Sequence, residues 1–280
     1  MNDLRIAAVV CRCPVGQVQY NLQRMTGWVD AARNRQASMI CFPELNVTGY
    51  SIRPEILDLA EPVPGPVSRA IEKIARDANT IIIAGLVEKA GDGRIFASHL
   101  VVGPDGLMGV YRKVHIAPPE QDLFSKGDAV PLFSGPGVTF GIQLCYDAHF
   151  PELSTRMALE GADLIIMPHA SPRGTSAEKY ASWMRHLPAR AFDNGAFLIA
   201  CNQTGDNQAG LTFPGLALVL DPAGKLLHKE IFQEEGFLIA DLPARLLEQV
   251  RRHPMRYFLP HRRPKIYSQP GVSISNIESQ

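Results

Sequence analysis

The order of apolar and amphipathic stretches predicts an α/β fold made of two similar halves. Short apolar runs alternate with helical periodicities along most of the chain. The alternation occurs twice in the same order, and proline or glycine-rich turn signals separate its members. With 280 residues, 46% of them hydrophobic and 20% charged, the chain has the composition of a globular protein. A single domain of this length buries about 75% of its unfolded surface, so one large core needs no disulfides.

In the first half, Leu4–Val10 reads as a buried strand. Val18, Leu22, Met25, Val29 and Ala32 then fall on one helical face at spacings of four and three. Residues 38–42 form a second strand, stopped by Pro43. Pro66 opens a helix that turns Val67, Ala70, Ile71 and Ile74 inward, proline being tolerated in a first turn. Residues 80–87 are a third strand. Residues 97–102 and 107–112 flank Gly103-Pro104-Asp105-Gly106, which reads as the turn of a hairpin.

The second half follows the same order. Residues 138–144 read as a strand, 151–160 as a helix, and 163–167 as a strand stopped by Pro168. Residues 178–194 are mostly helical, with a bend or break at Pro188. Residues 196–201 are a strand, and 216–220 pairs with 226–229 across Asp221-Pro222-Ala223-Gly224. The echo reaches individual residues: Pro43 and Pro168 stand 125 positions apart, as do Ala37 and Ala162. Two such halves imply one pseudo-symmetric domain, with two sheets packed between helices.

Composition excludes several classes. Lys+Arg and Asp+Glu both number 28, whereas general nucleic-acid binding needs an excess of cations to displace counterions. No apolar run approaches the roughly 20 residues of a bilayer span. Met1-Asn2-Asp3-Leu4-Arg5 lacks the layout of a signal peptide. Five thinly spread cysteines suit reduced thiols, so a cytoplasmic location is expected. Cys11-x-Cys13 lacks a second ligand pair at zinc spacing, and neither a Gly-x-Gly-x-x-Gly turn nor a Gly-Lys-Ser/Thr loop occurs.

Three strand ends carry reactive groups. The run 138–144 ends at Cys145, and a short turn leads to a helix opened by Pro151. A thiol there sits near free backbone N–H groups, which favour a thiolate and can hold an oxyanion. Cys11, Cys13, Cys41 and Cys201 lie in or beside apolar runs and read as core thiols. Glu44 follows the second strand directly, and Lys113 closes the apolar run that starts at Val110. Taken singly, a carboxylate or lysine at a strand end is often only solvated. Strand C-termini of one layer open on a common rim, which makes the three interesting together.

Phe42-Pro43-Glu44 with Thr48-Gly49-Tyr50, then Tyr111-Arg112-Lys113-Val114-His115, then Cys145-Tyr146-Asp147 with Phe150-Pro151-Glu152, resemble the three signatures of the nitrilase (carbon–nitrogen hydrolase) superfamily. The resemblance runs into the tail, through Phe258-Leu259 and Arg262-Arg263-Pro264-Lys265-Ile266-Tyr267. It implies a four-layer α-β-β-α sandwich with no metal and no organic cofactor. It implies Cys145 as nucleophile, Glu44 as general base and acid, and Lys113 with the backbone amide of Tyr146 as oxyanion donors. Glu120 falls where the family places a further, supporting glutamate. Tyr50, Tyr146, His149 and Arg173 are the expected substrate-facing residues.

One position departs from the pattern. The amidase-like branch usually carries arginine four residues after the cysteine, and His149 stands there. Tyr146-Asp147 fits amide-hydrolysing branches better than the tryptophan and glutamate that follow the cysteine in true nitrilases. The expected activity is therefore hydrolysis of small non-peptide amide bonds through a cysteine thioester, releasing ammonia or an amine. An N-carbamoyl hydrolase is the alternative within the family. A papain-like site using His149 or His169 would leave Glu44 and Lys113 without a role, and a catalytically silent scaffold would not need all three groups.

From about Val250, arginines, prolines and aromatics interleave. Residues 1–250 are expected to form the single hydrolase domain and 251–280 an extended arm at a subunit interface. Large apolar groups among arginines suit an interface core, so a homodimer or larger assembly is expected.

Overall fold

The structure is a computed structural model that describes residues 1–267. In chain order the first half comprises β1 (Leu4–Val10), α1 (Val18–Asn34), β2 (Met39–Cys41), α2 (Pro66–Ala78), β3 (Ile81–Lys89), β4 (Ile95–Gly103) and β5 (Gly106–Arg112). The second comprises β6 (Leu132–Gly135), β7 (Val138–Ile142), α3 (Pro151–Leu159), β8 (Leu164–His169), α4 (Ser176–Trp183), α5 (Leu187–Asn194) and β9 (Phe197–Asn202). There follow the short pair β10 (Gly205–Asp206) and β11 (Thr212–Phe213), then β12 (Gly215–Leu220), β13 (Leu226–Phe232), β14 (Gly236–Leu242), α6 (Ala244–Arg251) and α7 (Pro264–Tyr267).

Two six-stranded mixed sheets result, ordered β14-β1-β2-β3-β4-β5 and β13-β12-β9-β8-β7-β6. Each has a parallel centre, β1-β2-β3 in one and β7-β8-β9 in the other, continued on one side by two antiparallel strands and on the other by one. The repeat inferred from Pro43 and Pro168 is thus a repeat of topology. The halves are nevertheless interlocked, because β14, from the far end of the chain, pairs with β1 from Leu4↔Leu242 to Val10↔Gly236.

Side-chain alternation explains the layering. Ile6, Ala8 and Val10 point between the sheets, toward β9 and β12 of the other. Ala7 and Val9 point the other way, onto Met25 and Val29 of α1 and Ile71 of α2. A strand buried on both faces must read as a continuous apolar run, as β1 does. The second sheet is covered in turn by Met157 of α3, Trp183 of α4 and Leu187 of α5. The architecture is the expected α/β one, two mixed sheets flanked by helices.

Two local expectations need correction. Pro168 does not stop its strand, since β8 continues to His169 with Pro168 opposite Cys201. Pairing with β7 has ended by then, at Ile142↔Ile166, so no ladder bond needs the missing N–H. The break between α4 and α5 falls at residues 184–186, and Pro188 sits in the first turn of the second helix. Residue 250 lies in the last turn of α6, so the arm expected from residue 251 begins where that helix ends. The start of the arm also folds onto its own chain. Arg251 donates to Asp163 Oδ1 at 2.6 Å and to the carbonyls of Ala162 and Gly195, Leu259 is buried, and Phe258 packs on Phe192. Met255 and Ile266 remain exposed. The arm beyond residue 267, and the Tyr267 side chain, lie outside the described residues.

Candidate active site

Cys145 opens a 3-10 turn, Cys145–His149, directly after β7. Its φ is +44°, in the left-handed region that costs a non-glycine residue roughly 1–2 kcal/mol. Asp147 holds it there. This fully buried carboxylate accepts the N–H of Leu144 at 3.0 Å, the Tyr111 hydroxyl at 2.8 Å, and both the backbone N–H and the Nδ1 of His115, at 2.8 and 2.9 Å. At the far end of the turn, Arg190 Nε donates to the carbonyl of Ala148 at 3.0 Å. The first bond inside the turn runs from Asp147 N–H to Leu144. The N–H of Tyr146 precedes it and has no acceptor within the turn, as at any helix start.

Lys113 lies between Tyr111 and His115, just past the end of β5. Its Nζ reaches Glu44 Oε1 at 2.8 Å and both oxygens of Glu120, at 2.8 and 3.1 Å. All three groups are buried. Burial works against the lysine charge, yet the two carboxylates outweigh it and hold the ammonium well above the ordinary lysine pKa. The Tyr50 hydroxyl donates to Glu120 Oε1 at 2.7 Å, so this tyrosine positions Glu120.

Glu44 hangs on a sharp turn over β3. Asn46 Oδ1 accepts the N–H of Gly85, and the carbonyl of Gly85 accepts the N–H of Val47. The turn sits so close that a Cβ on Gly85 would lie 2.5 Å from the Leu45 nitrogen. Gln203 holds the Glu44 carbonyl at 2.8 Å, and the N–H of Ala170 donates to Glu44 Oε2 at 3.0 Å. Ala170 follows His169, the counterpart of Glu44 in the second half, so the two halves meet at this carboxylate.

The electrostatics separate the two reacting groups. Burial raises Glu44 to about 7; the adjacent ammonium opposes the shift and Glu120 adds to it. Burial, with Glu44 beside it, pushes the Cys145 thiol up to about 12 against the pull of Lys113. Burial thus favours the uncharged forms of both, a thiol at Cys145 and a carboxyl at Glu44 that takes up a proton more readily than an exposed glutamate.

The remaining expected residues sit on the cysteine turn and in the loop after β8. Tyr146 and His149 are on the nucleophile turn, and the His149 ring stacks on His186 at 4.6 Å. Burial and Arg190 lower the His149 pKa, so it is neutral at pH 7. His169 is buried against Trp183, its Nδ1 bonds to the Met167 carbonyl, and burial lowers its pKa to about 3. Arg173 is exposed in the loop after β8. The other four cysteines are buried, Cys41 facing Cys201 and Cys11 facing Cys13. Among the described residues, no His, Cys, Asp and Glu group is arranged to hold a metal ion, and no helix is long and apolar enough to cross a membrane. Sequence reasoning passed over Asp147 and Arg190. Asp147 stood inside a quoted motif, but its partners are 32 and 36 residues away.

A thiol at a strained strand end, beside a buried Glu–Lys–Glu group and between two like sheets, defines a thiol hydrolase of the nitrilase type. Residues 5–252 match the family model described as carbon–nitrogen hydrolase, and the chain belongs to that family. A nitrilase of Pyrococcus abyssi is 29% identical over 94% of this chain and 99% of its own length. An (R)-stereoselective amidase of Pseudomonas sp is 29% identical over 85% of this chain and 84% of its own. An amidase from Nesterenkonia sp. AN1 superposes with a TM-score of 0.81 at 26% identity, covering 94% of this chain and 95% of that one. Its structure shows covalent addition of the acetamide moiety of fluoroacetamide at the active-site cysteine. With Cys145 in the catalytic position, this chain is an amidase-type carbon–nitrogen hydrolase.

Proposed function

We propose that the enzyme hydrolyses small primary amides by a two-step acyl transfer at Cys145. The observation that carries this reading is the contact set of Lys113, one ammonium held by both Glu44 and Glu120 beside the cysteine turn. Glu44 takes the thiol proton as sulfur attacks the amide carbon. The negative charge that develops on the amide oxygen is met by Lys113 and the N–H of Tyr146, each such donor supplying about 3–4 kcal/mol. Glu44 then delivers its proton to the nitrogen, the C–N bond breaks, and ammonia leaves a thioester. Water enters, gives its proton to Glu44 and attacks the thioester. The acid departs, and the proton returns to sulfur. Glu120, fixed by Tyr50, keeps Lys113 charged and aimed.

Ammonia release from a panel of amides, compared between wild type and Cys145→Ala, tests the reading. Loss of release in the variant supports it, and equal release would overturn it. The assembly is proposed as a homodimer or larger, with the exposed Met255 and Ile266 of the arm in the contact.

A further inference from the structure

The base, like the nucleophile, sits on a strained turn. Leu45 has a φ of +52°, in the left-handed region that disfavours any residue with a Cβ. Strain of this kind persists only where the surroundings hold it. The peptide between Glu44 and Leu45 defines that angle, and its carbonyl is the one that Gln203 Nε2 holds at 2.8 Å.

The carbonyls of this turn divide into two kinds. Those of Pro43, Leu45 and Thr48 accept backbone N–H groups, from Asn46, Gly49 and Gly16. Those of Glu44 and Val47 accept side chains instead, Gln203 Nε2 and Asn21 Nδ2, the second at 2.9 Å. A carboxamide nitrogen only donates, so these bonds settle which way each side chain faces. Both carboxamides are buried, and each is left with an oxygen that no donor of the protein reaches. His99 stands under the same turn. A Cβ on Gly85 would lie 2.6 Å from its Nδ1 and 2.5 Å from the Leu45 nitrogen, and neither ring nitrogen has a partner. Among the described residues, four of the six buried side-chain polar atoms without a partner thus surround this one turn. Unpaired groups cost stability, and their concentration beside a reacting carboxylate marks a place where geometry outweighs it.

We propose that Gln203 is a positioning residue for Glu44. It locks the 44–45 peptide in its strained orientation, and so aims the carboxylate at Lys113 and at the N–H of Ala170. Its neighbour Asn202 works on the other end of the same carboxylate. Asn202 accepts the N–H of Ser171 at 2.8 Å and donates to its carbonyl at 3.1 Å, which fixes the residue after Ala170. The inference rests on Glu44 as the base of amide hydrolysis and adds the group that holds it in place.

The test is Gln203→Met, assayed by ammonia release on the fastest amide of a series from acetamide to hexanamide. This variant removes the donor together with the unpaired oxygen. The Glu44 carbonyl loses a partner while the orphaned oxygen disappears, so the denaturant midpoint should stay close to wild type. The value of kcat should fall on the order of 10-fold with KM little changed, because the base is misplaced and not removed. Gln203→Leu should behave alike, which separates the lost donor from the shape of its replacement. In Glu44→Gln, where the base is already gone, adding Gln203→Met should cost little more. Losses that add in full would overturn the inference, as would a wild-type kcat in folded Gln203→Met. A midpoint that falls in step with activity, or a variant that does not fold, would also overturn it and make Gln203 a support of the fold. Full activity in Glu44→Gln would remove the base reading and this inference together. Loss in Glu44→Gln with none in Gln203→Met would remove the inference alone.

Discussion

Asp147 Oδ1 accepts the backbone N–H of His115 at 2.8 Å, joining the turn that carries Cys145 to the strand end that carries Lys113. The same carboxylate takes the Tyr111 hydroxyl, two residues before the lysine, and the N–H of Leu144, one before the cysteine. Nucleophile and ammonium are thus fixed by one buried group that touches neither.

Asp147→Asn should therefore impair catalysis beyond its effect on stability. Its amide cannot accept all the N–H and O–H bonds that the carboxylate takes. A displacement of about 1 Å at a reacting group costs on the order of 100-fold. The expected result is a kcat loss of that size with KM little changed. The acid limb of the rate profile should move upward, because a loosened Lys113 stabilises the Glu44 carboxylate less. Unchanged kcat in a folded variant would contradict this positioning role.

The base role proposed for Glu44 predicts the pH dependence. A base works ionised, and burial raises the Glu44 pKa to about 7. The value of kcat/KM should fall about tenfold per pH unit below that point and level off above it. With the thiol at about 12, no thiolate contributes at neutral pH. An acid limb near the ordinary carboxylate value would show that Glu44 is not the base.

Acid should destabilise the fold through its buried histidines. His99 and His169 are both lowered by burial to about 3, against about 6.5 when unfolded. Between these values the unfolded chain binds protons that the native chain does not. Stability is thus full above pH 6.5 and falls as pH drops toward 3, by about 1.4 kcal/mol per pH unit for each histidine. Glu44, shifted the other way, offsets part of this between about 4.5 and 7. His99→Gln should flatten the acid slope of denaturant midpoints by one histidine's share. A slope identical to wild type would count against a buried neutral His99.

Truncation after Arg252 tests the arm. Light scattering should show a smaller particle than the parent if the arm holds subunits together. An unchanged mass in a folded truncation, or a parent that is monomeric at micromolar concentration, would remove that proposal.

Most of the fold was legible because its signals are local. The α1 face at Val18, Leu22 and Met25, the α2 start at Pro66 and the hairpin around Gly103 and Gly106 each lie within one element. β14 was not read, since its alternation does not say that it joins β1, more than 220 residues earlier. Pro168 misled because a strand can carry proline where its neighbour has ended. In the site, Glu44, Lys113 and Cys145 stood at strand ends where motif spacing marks them. Asp147 stood inside a quoted motif with no role of its own, because its partners Tyr111 and His115 lie more than 30 residues away and only the fold brings them to it.

The central claim is a covalent acyl intermediate on Cys145. It is tested most directly by intact-mass and peptide mapping of acid-quenched enzyme during turnover, in wild type and in Glu44→Gln, where both steps slow. The account predicts a mass gain equal to the amide minus ammonia, located on the peptide containing Cys145 and absent from Cys145→Ala. A gain on another residue, or turnover by Cys145→Ala at the wild-type rate, would contradict it.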